Sequence, residues 1–189
     1  MNYLAHLLLA EQTAESLIGN LAGDFVKGRI GDDVPPGVAK GIRHHRRVDA
    51  FTDSHPSVAA FRRVLIPEHG HYARVIADVF FDHFLAIDFE RYAKEPLDLF
   101  LRHVYAAIDP HIDELPGRLR IVYPRMRDDG WLESYQSIEG IRLALRGISH
   151  RLSRRPQLAL AVHFLEDIHR ATLEGLFHEF FPDVMALTS

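Results

Sequence analysis

The sequence predicts a single all-α domain that covers residues 1–189. Apolar residues recur at spacings of three and four from one end of the chain to the other, which is the period of amphipathic helices. No long stretch alternates between apolar and polar residues, as a half-buried strand would. A chain of 189 residues suits one domain with a substantial core, and neither an internal repeat nor a linker divides it. We therefore predict a helical bundle.

Signals at helix ends place the elements of the first third of the chain. Asn2 can cap the first helix, and Gly28 follows the second. The segment 31–37 contains two aspartates and two prolines, which is typical of a loop before a helix. His55-Pro56 separates the third helix from a short fourth one. In order, these helices cover residues 2–10, 16–26, 38–53 and a segment from residue 56 to 65.

The remaining helices follow from the same signals. Residues 67–70 contain a proline and a glycine and predict a turn. Pro156 fits the first turn of a long final helix, which we expect Pro182 to end. In order, the predicted helices cover residues 73–87, 97–108, 119–127, 138–152 and 156–181.

The composition limits the classes of protein to which the chain can belong. Hydrophobic residues make up 47% and charged residues 25%, which is typical of a globular domain. The formal net charge of −4 does not favour a nucleic-acid binder, and no apolar run reaches the length of a membrane span. The absence of cysteine excludes disulfides and thiolate metal sites. We expect a cytoplasmic protein without nucleic-acid or membrane partners.

The helix predicted over residues 73–87 carries ionisable groups in a mostly apolar segment. Apolar residues surround most of its helical wheel, which indicates a central, buried helix. It nevertheless contains Asp78, Asp82 and His83. An unpaired charge in an apolar core is so costly that each group needs a partner, a metal or a proton.

Other helices also bring ionisable groups to apolar faces. His6 lies among leucines in the first helix, and Asp24 extends the apolar ridge of the second. His45 and Asp49 are four residues apart in the third helix and therefore share a face. With Asp82 and His83, these imidazoles and carboxylates suit Mn, Fe, Zn or Mg. Alternatively, Asp49 and Asp53 pair with Arg46 and Arg47, and His45 is a hydrogen-bonded core residue.

Several segments resemble the acyl carrier protein phosphodiesterase family. They fall in order and span most of the chain. They are MNYLAH at residues 1–6, GN at 19–20, GDFVKG at 23–28, HRRVD at 45–49, TD at 52–53, DHFL at 82–85 and SRRP at 153–156. The resemblance implies a helical fold like that of the metal-dependent HD phosphohydrolases. It also implies hydrolysis of holo-acyl carrier protein to the apo protein and 4′-phosphopantetheine, with Mn²⁺ as the expected cation and Mg²⁺ or Fe²⁺ as alternatives.

The chain departs from the expected pattern in two places. It contains no His-Asp dipeptide, and only the reversed Asp82-His83 comes close. Leu8 stands where we expect a second histidine after His6. The ligand order of HD enzymes therefore cannot be transferred position by position.

From these observations we assign expected roles to individual residues. The expected metal ligands are Asp24, His45, Asp82, His83 and, with less support, His6. Adjacent helical residues diverge by about 100°, so Asp82 or His83 can instead orient a ligand. Asp49 ligates the metal or positions the attacking water, and Arg46 holds the phosphate oxygens through its planar fork.

A basic surface can recruit the acidic carrier protein that the resemblance implies. The candidate docking residues are Arg142, Arg146, Arg151, Arg154 and Arg155. A solvated helix face is the simpler interpretation of such a run of charges. Two other functions stay open: a helical phosphohydrolase for nucleotides or another small phosphoester, and a non-catalytic module that binds carrier protein.

Overall fold

A computed structural model describes residues 1–154 and 156–188, and within these ranges it contains helices and no strands. The α-helices are α1 (Tyr3–Leu9), α2 (Ala14–Ala22), α3 (Pro36–Ser54), α4 (Pro56–His69), α5 (Ala73–Ile87), α6 (Phe89–Tyr92), α7 (Leu97–Ile108), α8 (Leu119–Asp128), α9 (Trp131–Ser134), α10 (Ile138–Arg151) and α11 (Arg170–Thr188). Short 3₁₀ segments lie at Gly70–Tyr72, Asp109–Glu114 and Leu158–Leu165. The predicted all-α class is confirmed.

Helix α5 lies at the centre of the molecule, as its apolar wheel predicts. It packs against α1, α4, α10 and α11. Phe80, Phe81 and Phe84 are fully buried, and the Phe81 ring centroid lies 4.8 Å from that of Phe61 in α4. Burial of such aromatic side chains supplies much of the hydrophobic stabilisation of a core. The core therefore surrounds α5, and the groups on its surface are held between neighbouring helices.

Helices α2 and α3 form the closest pair in the molecule because two glycines meet at their contact. A Cβ added to Gly19 would lie 2.3 Å from the Val38 carbonyl oxygen, and one added to Gly41 would lie 2.9 Å from the Gly19 Cα. Neither position has room for a side chain. This close approach brings the C-terminal end of α2 against the middle of α3, where the ionisable residues of both helices lie.

Several predicted helix ends are wrong: the second helix ends at Ala22 and not at residue 26, and two other errors involve proline. Residues 156–181 do not form one helix: a 3₁₀ segment at Leu158–Leu165 precedes α11, which continues past Pro182 to Thr188. Pro67 likewise lies inside α4 instead of starting a turn. Both prolines are exposed. Water can bind the carbonyl group that a proline leaves without a donor on the exposed side of a helix, so the helix tolerates the proline there.

Sequence patterns did not predict the short helices α6 and α9, since each contains four residues and is too short to show a period. Within the described residues, no helix combines the length and the hydropathy that spanning a bilayer requires.

Candidate metal centre

Three ionisable side chains from α1 and α3 converge on one point. The Nε2 atoms of His6 and His45 lie 3.2 Å from Oδ1 and Oδ2 of Asp49, respectively. One possible ligand atom from each residue lies within 4.8 Å of the others, which is compatible with a shared ion. The two imidazole rings stack with centroids 3.8 Å apart and planes 16° from parallel. Both histidines are buried, whereas the Asp49 side chain is 35% exposed.

Asp24, just after α2, contributes a second carboxylate to this group. Its Oδ1 lies 3.7 Å from Nε2 of His45. The Asp24 side chain is 45% exposed, so this carboxylate forms the solvent side of the group. The structure thus brings together His6, Asp24, His45 and Asp49, and we refer to these four residues as the metal centre.

The C-terminal end of α2 positions the His45 ring. The Asn20 carbonyl oxygen accepts a hydrogen bond of 2.8 Å from Nδ1 of His45. A carbonyl can only accept, so Nδ1 carries a proton and Nε2 is the atom left to bind a proton or a metal. A Cβ added to Gly23 would lie 2.2 Å from Cγ of the same ring, so only glycine leaves room for His45 in this position. Sequence patterns did not indicate these roles of the Asn20 backbone and of Gly23.

The two histidines of the centre have opposite pKa shifts. Burial, together with the charge of His45, lowers the pKa of His6 to about 3. Burial alone would lower the pKa of His45 as well, but hydrogen bonds to Asp24 and Asp49 outweigh burial and raise it to about 9. Without a metal at neutral pH, one proton therefore resides on His45, and His6 is neutral. A divalent cation can take the place of that proton among the same carboxylates.

The carboxylates of the centre stay ionised. Burial disfavours the charge of Asp49, yet His45, His6 and the Met1 α-ammonium hold its pKa well below its usual range. The hydrogen bond and charge of His45 likewise outweigh burial and lower the pKa of Asp24. Ionised carboxylates beside neutral imidazole are the ligands that Mn²⁺, Fe²⁺ and Zn²⁺ accept. The donor set therefore fits a divalent cation.

The Met1 α-ammonium group lies beside the centre, a contact that sequence patterns could not predict. Its nitrogen is 2.9 Å from Oδ1 of Asp49 and 3.5 Å from Oδ1 of Asp78. Burial disfavours the charge, but the carboxylates of Asp78 and Asp49 outweigh it and raise the pKa of the ammonium to about 10. Asp78 therefore has a cationic partner beside the centre.

Asp82 lies on α5 and binds the backbone of α1. Its Oδ2 accepts a hydrogen bond of 2.8 Å from the Leu4 N–H, and its Oδ1 accepts one of 3.1 Å from the Ala5 N–H. These N–H groups belong to the first turn of α1 and have no partner within that helix. The Asn2 side chain forms no capping hydrogen bond there, so a carboxylate from α5 takes the capping role.

His83 faces away from Asp82, as expected for adjacent helical residues. Its Nδ1 donates a hydrogen bond of 2.7 Å to the Tyr135 carbonyl oxygen after α9. Its Nε2 is buried and has no hydrogen-bond partner among the described residues. The structure does not bring His83 together with the metal centre.

Arg46 anchors the segment that follows Asp24. One guanidinium nitrogen donates a hydrogen bond of 2.8 Å to the Val26 carbonyl oxygen. This contact ties the loop after α2 to α3 and so restrains the backbone next to Asp24.

A second group of possible ligands lies at the other end of α5. It consists of Asp88, Glu174 and His178. Nε2 of His178 is 3.1 Å from Asp88, while Nδ1 bonds the Tyr92 hydroxyl group. Because both ring nitrogens have protein partners, we interpret this group as a tie between α11 and the α5–α6 segment.

The predicted docking residues differ in their surroundings. Arg142 pairs with Glu139 at 3.1 Å, whereas Arg146 is exposed and has no side-chain hydrogen bond or ion pair within the described ranges. Arg151 interacts with the hydroxyl group of Tyr3, and Arg154 borders a cavity that Asp78 also lines. Arg155 lies outside the described residues.

Comparison with known proteins gives a consistent result. A sequence profile described as "Acyl carrier protein phosphodiesterase" matches residues 1–184. A protein of that name from Serratia proteamaculans is 38% identical over 190 residues, covering 98% of this chain and 96% of the relative. Proteins of the same name from Yersinia pestis and Photorhabdus laumondii are 36% and 33% identical over 186 residues, covering 98% of this chain and 96% and 93% of the relatives. No solved structure gives a significant match.

Proposed function

The chain belongs to the acyl carrier protein phosphodiesterase family, and on that basis we propose that it hydrolyses holo-acyl carrier protein. The bond cleaved is the phosphodiester between 4′-phosphopantetheine and a serine of the carrier protein. The products are the apo carrier protein and free 4′-phosphopantetheine. The observation that carries the proposal is the convergence of His6, His45 and Asp49, with Asp24 beside them, on one partly exposed point.

The four residues of the metal centre hold one divalent cation, and Mn²⁺ is the first candidate, ahead of Mg²⁺ and Fe²⁺. Such a cation polarises a phosphoryl oxygen and lowers the pKa of a water molecule that it binds. His45 contributes Nε2, because the Asn20 carbonyl fixes its other nitrogen. Asp49 lies between both imidazoles and contributes a carboxylate oxygen.

Asp24 is the member of the centre best placed to orient the attacking water. It is the more exposed of the two carboxylates and is ionised, so it can accept a hydrogen bond from water on the solvent side. Arg46 holds the adjacent loop through Val26, and its remaining N–H groups can contact a phosphate oxygen. Asp82 supports the centre indirectly, because it binds the N–H groups of Leu4 and Ala5, which directly precede His6 in α1.

Mass spectrometry of holo-acyl carrier protein tests the activity. With Mn²⁺ present, the wild type removes the phosphopantetheine mass from the carrier protein, and Asp24→Ala shows no detectable turnover. Asp32→Ala is the matched control, since Asp32 is an exposed aspartate that pairs only with the neighbouring Arg29. Absence of the mass loss with metal-loaded wild type contradicts the proposed function, and full activity of Asp24→Ala contradicts its role.

Two further measurements separate the alternative functions. Elemental analysis of protein purified without chelator should find about one divalent cation per chain, whereas a non-catalytic module binds none. A panel of nucleotides and other small phosphoesters should not be turned over. Hydrolysis of that panel without hydrolysis of holo-acyl carrier protein would instead indicate a small-molecule phosphohydrolase.

We propose that the carrier protein docks at α10 and the residues after it, where Arg142, Arg146, Arg151 and Arg154 supply positive charge. Arg155, the fifth predicted docking residue, lies outside the described residues. Arg146 is exposed and unpaired within the described ranges, so its charge is available to an acidic partner. Arg151 interacts with Tyr3, close to the metal centre. Charges at the edge of an interface mainly change the association rate and its dependence on salt.

We predict that Arg146→Glu raises the KM for holo-acyl carrier protein by about threefold or more at low salt and leaves kcat unchanged. Added salt should reduce the difference. Arg125→Glu on α8, also an exposed arginine, serves as the control and should not change the KM. Equal effects of both variants would mean that net charge, and not this face, determines docking.

A further inference from the structure

A cavity of about 500 Å³ lies between the start of α5 and the residues that follow α10. Its lining includes the apolar side chains of Tyr72, Val75 and Leu152. The polar and charged residues of the lining are His71, Arg74, Asp78, Ser153 and Arg154. Sites for small organic ligands commonly have volumes of about 300–1,000 Å³ and mostly apolar walls with a few polar groups. The cavity therefore has the size and character of a ligand site.

The cavity is adjacent to the metal centre. Asp78 lines it, and the Oδ1 atom of Asp78 is 3.5 Å from the Met1 nitrogen. The same nitrogen is 2.9 Å from Oδ1 of Asp49 in the centre. Two short contacts thus separate the cavity lining from the proposed ligand Asp49. The cavity is therefore within reach of a flexible substrate whose reacting group lies at the centre.

We propose that this cavity receives the pantetheine arm of the substrate. The inference rests on the proposed function, because that function determines which phosphodiester lies at the metal centre. One side of that phosphodiester leads to the carrier protein, and the other leads to the arm. The arm needs a channel beside the centre that is large enough for a flexible chain.

The lining of the cavity offers both apolar and hydrogen-bonding partners for the arm. Pantetheine is neutral, with a dimethyl group, two amides and a terminal thiol. Val75 and Leu152 can pack against the dimethyl group, and the hydroxyl groups of Tyr72 and Ser153 can hydrogen bond the amides. Arg154 is exposed and lines the cavity, so its guanidinium group can contact the phosphate of the substrate.

Binding of pantetheine alone tests the cavity without any turnover. In protein with ¹³C-labelled Val and Leu methyl groups, pantetheine should shift the NMR signals of Val75 and Leu152. The methyl signals of Leu160, which is 60% exposed on the 3₁₀ segment, should not move. Unshifted Val75 and Leu152 signals at saturating pantetheine overturn the proposal.

Filling the cavity provides a second test. Val75→Trp and Leu152→Trp should each raise the KM for holo-acyl carrier protein by about tenfold, corresponding to the loss of about 1.4 kcal/mol of binding. Both variants should keep the Mn²⁺ affinity of the wild type, because neither residue belongs to the metal centre. Leu160→Trp is the control for a surface tryptophan and should leave the KM unchanged. Two filling variants are used. A variant whose melting temperature shows that it is misfolded is set aside, and the other variant then decides the result.

The outcomes distinguish this inference from the proposed function. If the wild type does not hydrolyse holo-acyl carrier protein, the function fails, and pantetheine binding still shows whether the cavity takes the arm. If the wild type is active but both folded filling variants have an unchanged KM, the function stands and the cavity proposal is wrong.

Discussion

At the scale of single residues, the metal centre depends on a residue with no side chain. Gly23 faces the His45 ring so closely that a methyl group would overlap it. The backbone of Gly23 is in the right-handed helical region, with φ −51° and ψ −39°, so any residue could adopt it. Space for the imidazole, and not backbone freedom, is therefore the reason for glycine here.

Gly23→Ala should displace the His45 ring and reduce the Mn²⁺ affinity by about tenfold or more, since small displacements of a ligand weaken binding. Isothermal titration calorimetry measures this. Gly175→Ala in α11 is the control because no atom lies within 4 Å of its added Cβ. That control should leave the affinity unchanged and raise the free energy of unfolding by about 0.5–1 kcal/mol. An unchanged affinity in Gly23→Ala would show that His45 does not ligate the metal.

The sequence analysis included all four residues of the centre in its candidate site, but it could not separate them from Asp82 and His83. His45 and Asp49 share a helical face, and their four-residue spacing placed them together correctly. His6 and Asp24 come from other helices, so only the fold shows that they lie beside His45. Asp82 and His83 looked like equivalent candidates, yet one binds the backbone of α1 and the other the backbone after α9.

At the scale of secondary structure elements, Asp82 joins α5 to α1 by capping a helix from outside it. The first-turn N–H groups of Leu4 and Ala5 both donate to its carboxylate. Burial nevertheless dominates and raises the pKa of Asp82 to about 7, although these hydrogen bonds favour the ionised form. The strength of the α1–α5 contact therefore depends on pH.

Asp82 should make the free energy of unfolding fall as pH rises from about 4 to about 7. The folded protein, with the raised pKa, binds the Asp82 proton in this range, whereas the unfolded chain has released it. The stability that this proton contributes is fully present below pH 4 and is lost as pH passes 7, with a slope of at most about 1.4 kcal/mol per pH unit.

Urea unfolding of the wild type and of Asp82→Asn, both with chelator present, measures this effect. The stability of the wild type relative to the variant should decline over that pH range, because the asparagine side chain of the variant does not titrate. A constant or rising difference would mean that Asp82 is ionised throughout.

Helix bounds were predictable where the apolar period is strong and uninterrupted. The bounds of α5 and α7 agree with the sequence prediction at both ends. The prediction failed between Pro156 and α11, where the apolar segment Leu158–Leu165 folds as a 3₁₀ segment. A continuous apolar segment does not distinguish a 3₁₀ segment from an α-helix, because both bury the same side chains.

At the scale of the whole molecule, the metal centre connects three helices that are separate in sequence. His6 belongs to α1, Asp24 follows α2, and His45 and Asp49 belong to α3. A cation held by all of them binds the folded chain and not the unfolded one. Its binding free energy therefore adds to the stability of the fold.

Removal of the metal should lower the thermal stability of the wild type. At a free Mn²⁺ concentration 100 times the dissociation constant, the expected stabilisation is about 2.7 kcal/mol. Differential scanning fluorimetry with Mn²⁺ or with chelator measures the change in melting temperature. Asp32→Ala should respond to Mn²⁺ as the wild type does, whereas His45→Ala should respond little or not at all. A wild type that melts at the same temperature in both conditions would contradict a cation at the centre.

The cap that Asp82 provides for α1 also has a consequence for the order of events during synthesis. The four residues of the metal centre all precede Asp82 in the chain, so they leave the ribosome before Asp82 does. The carboxylate that holds α1 comes 33 residues after Asp49, and until it emerges α1 lacks its cap. A seven-residue helix is too short to persist alone in water. A cation that binds at the proposed centre would therefore be acquired after α5 has been translated and folded, and not while the residues of the centre are being made.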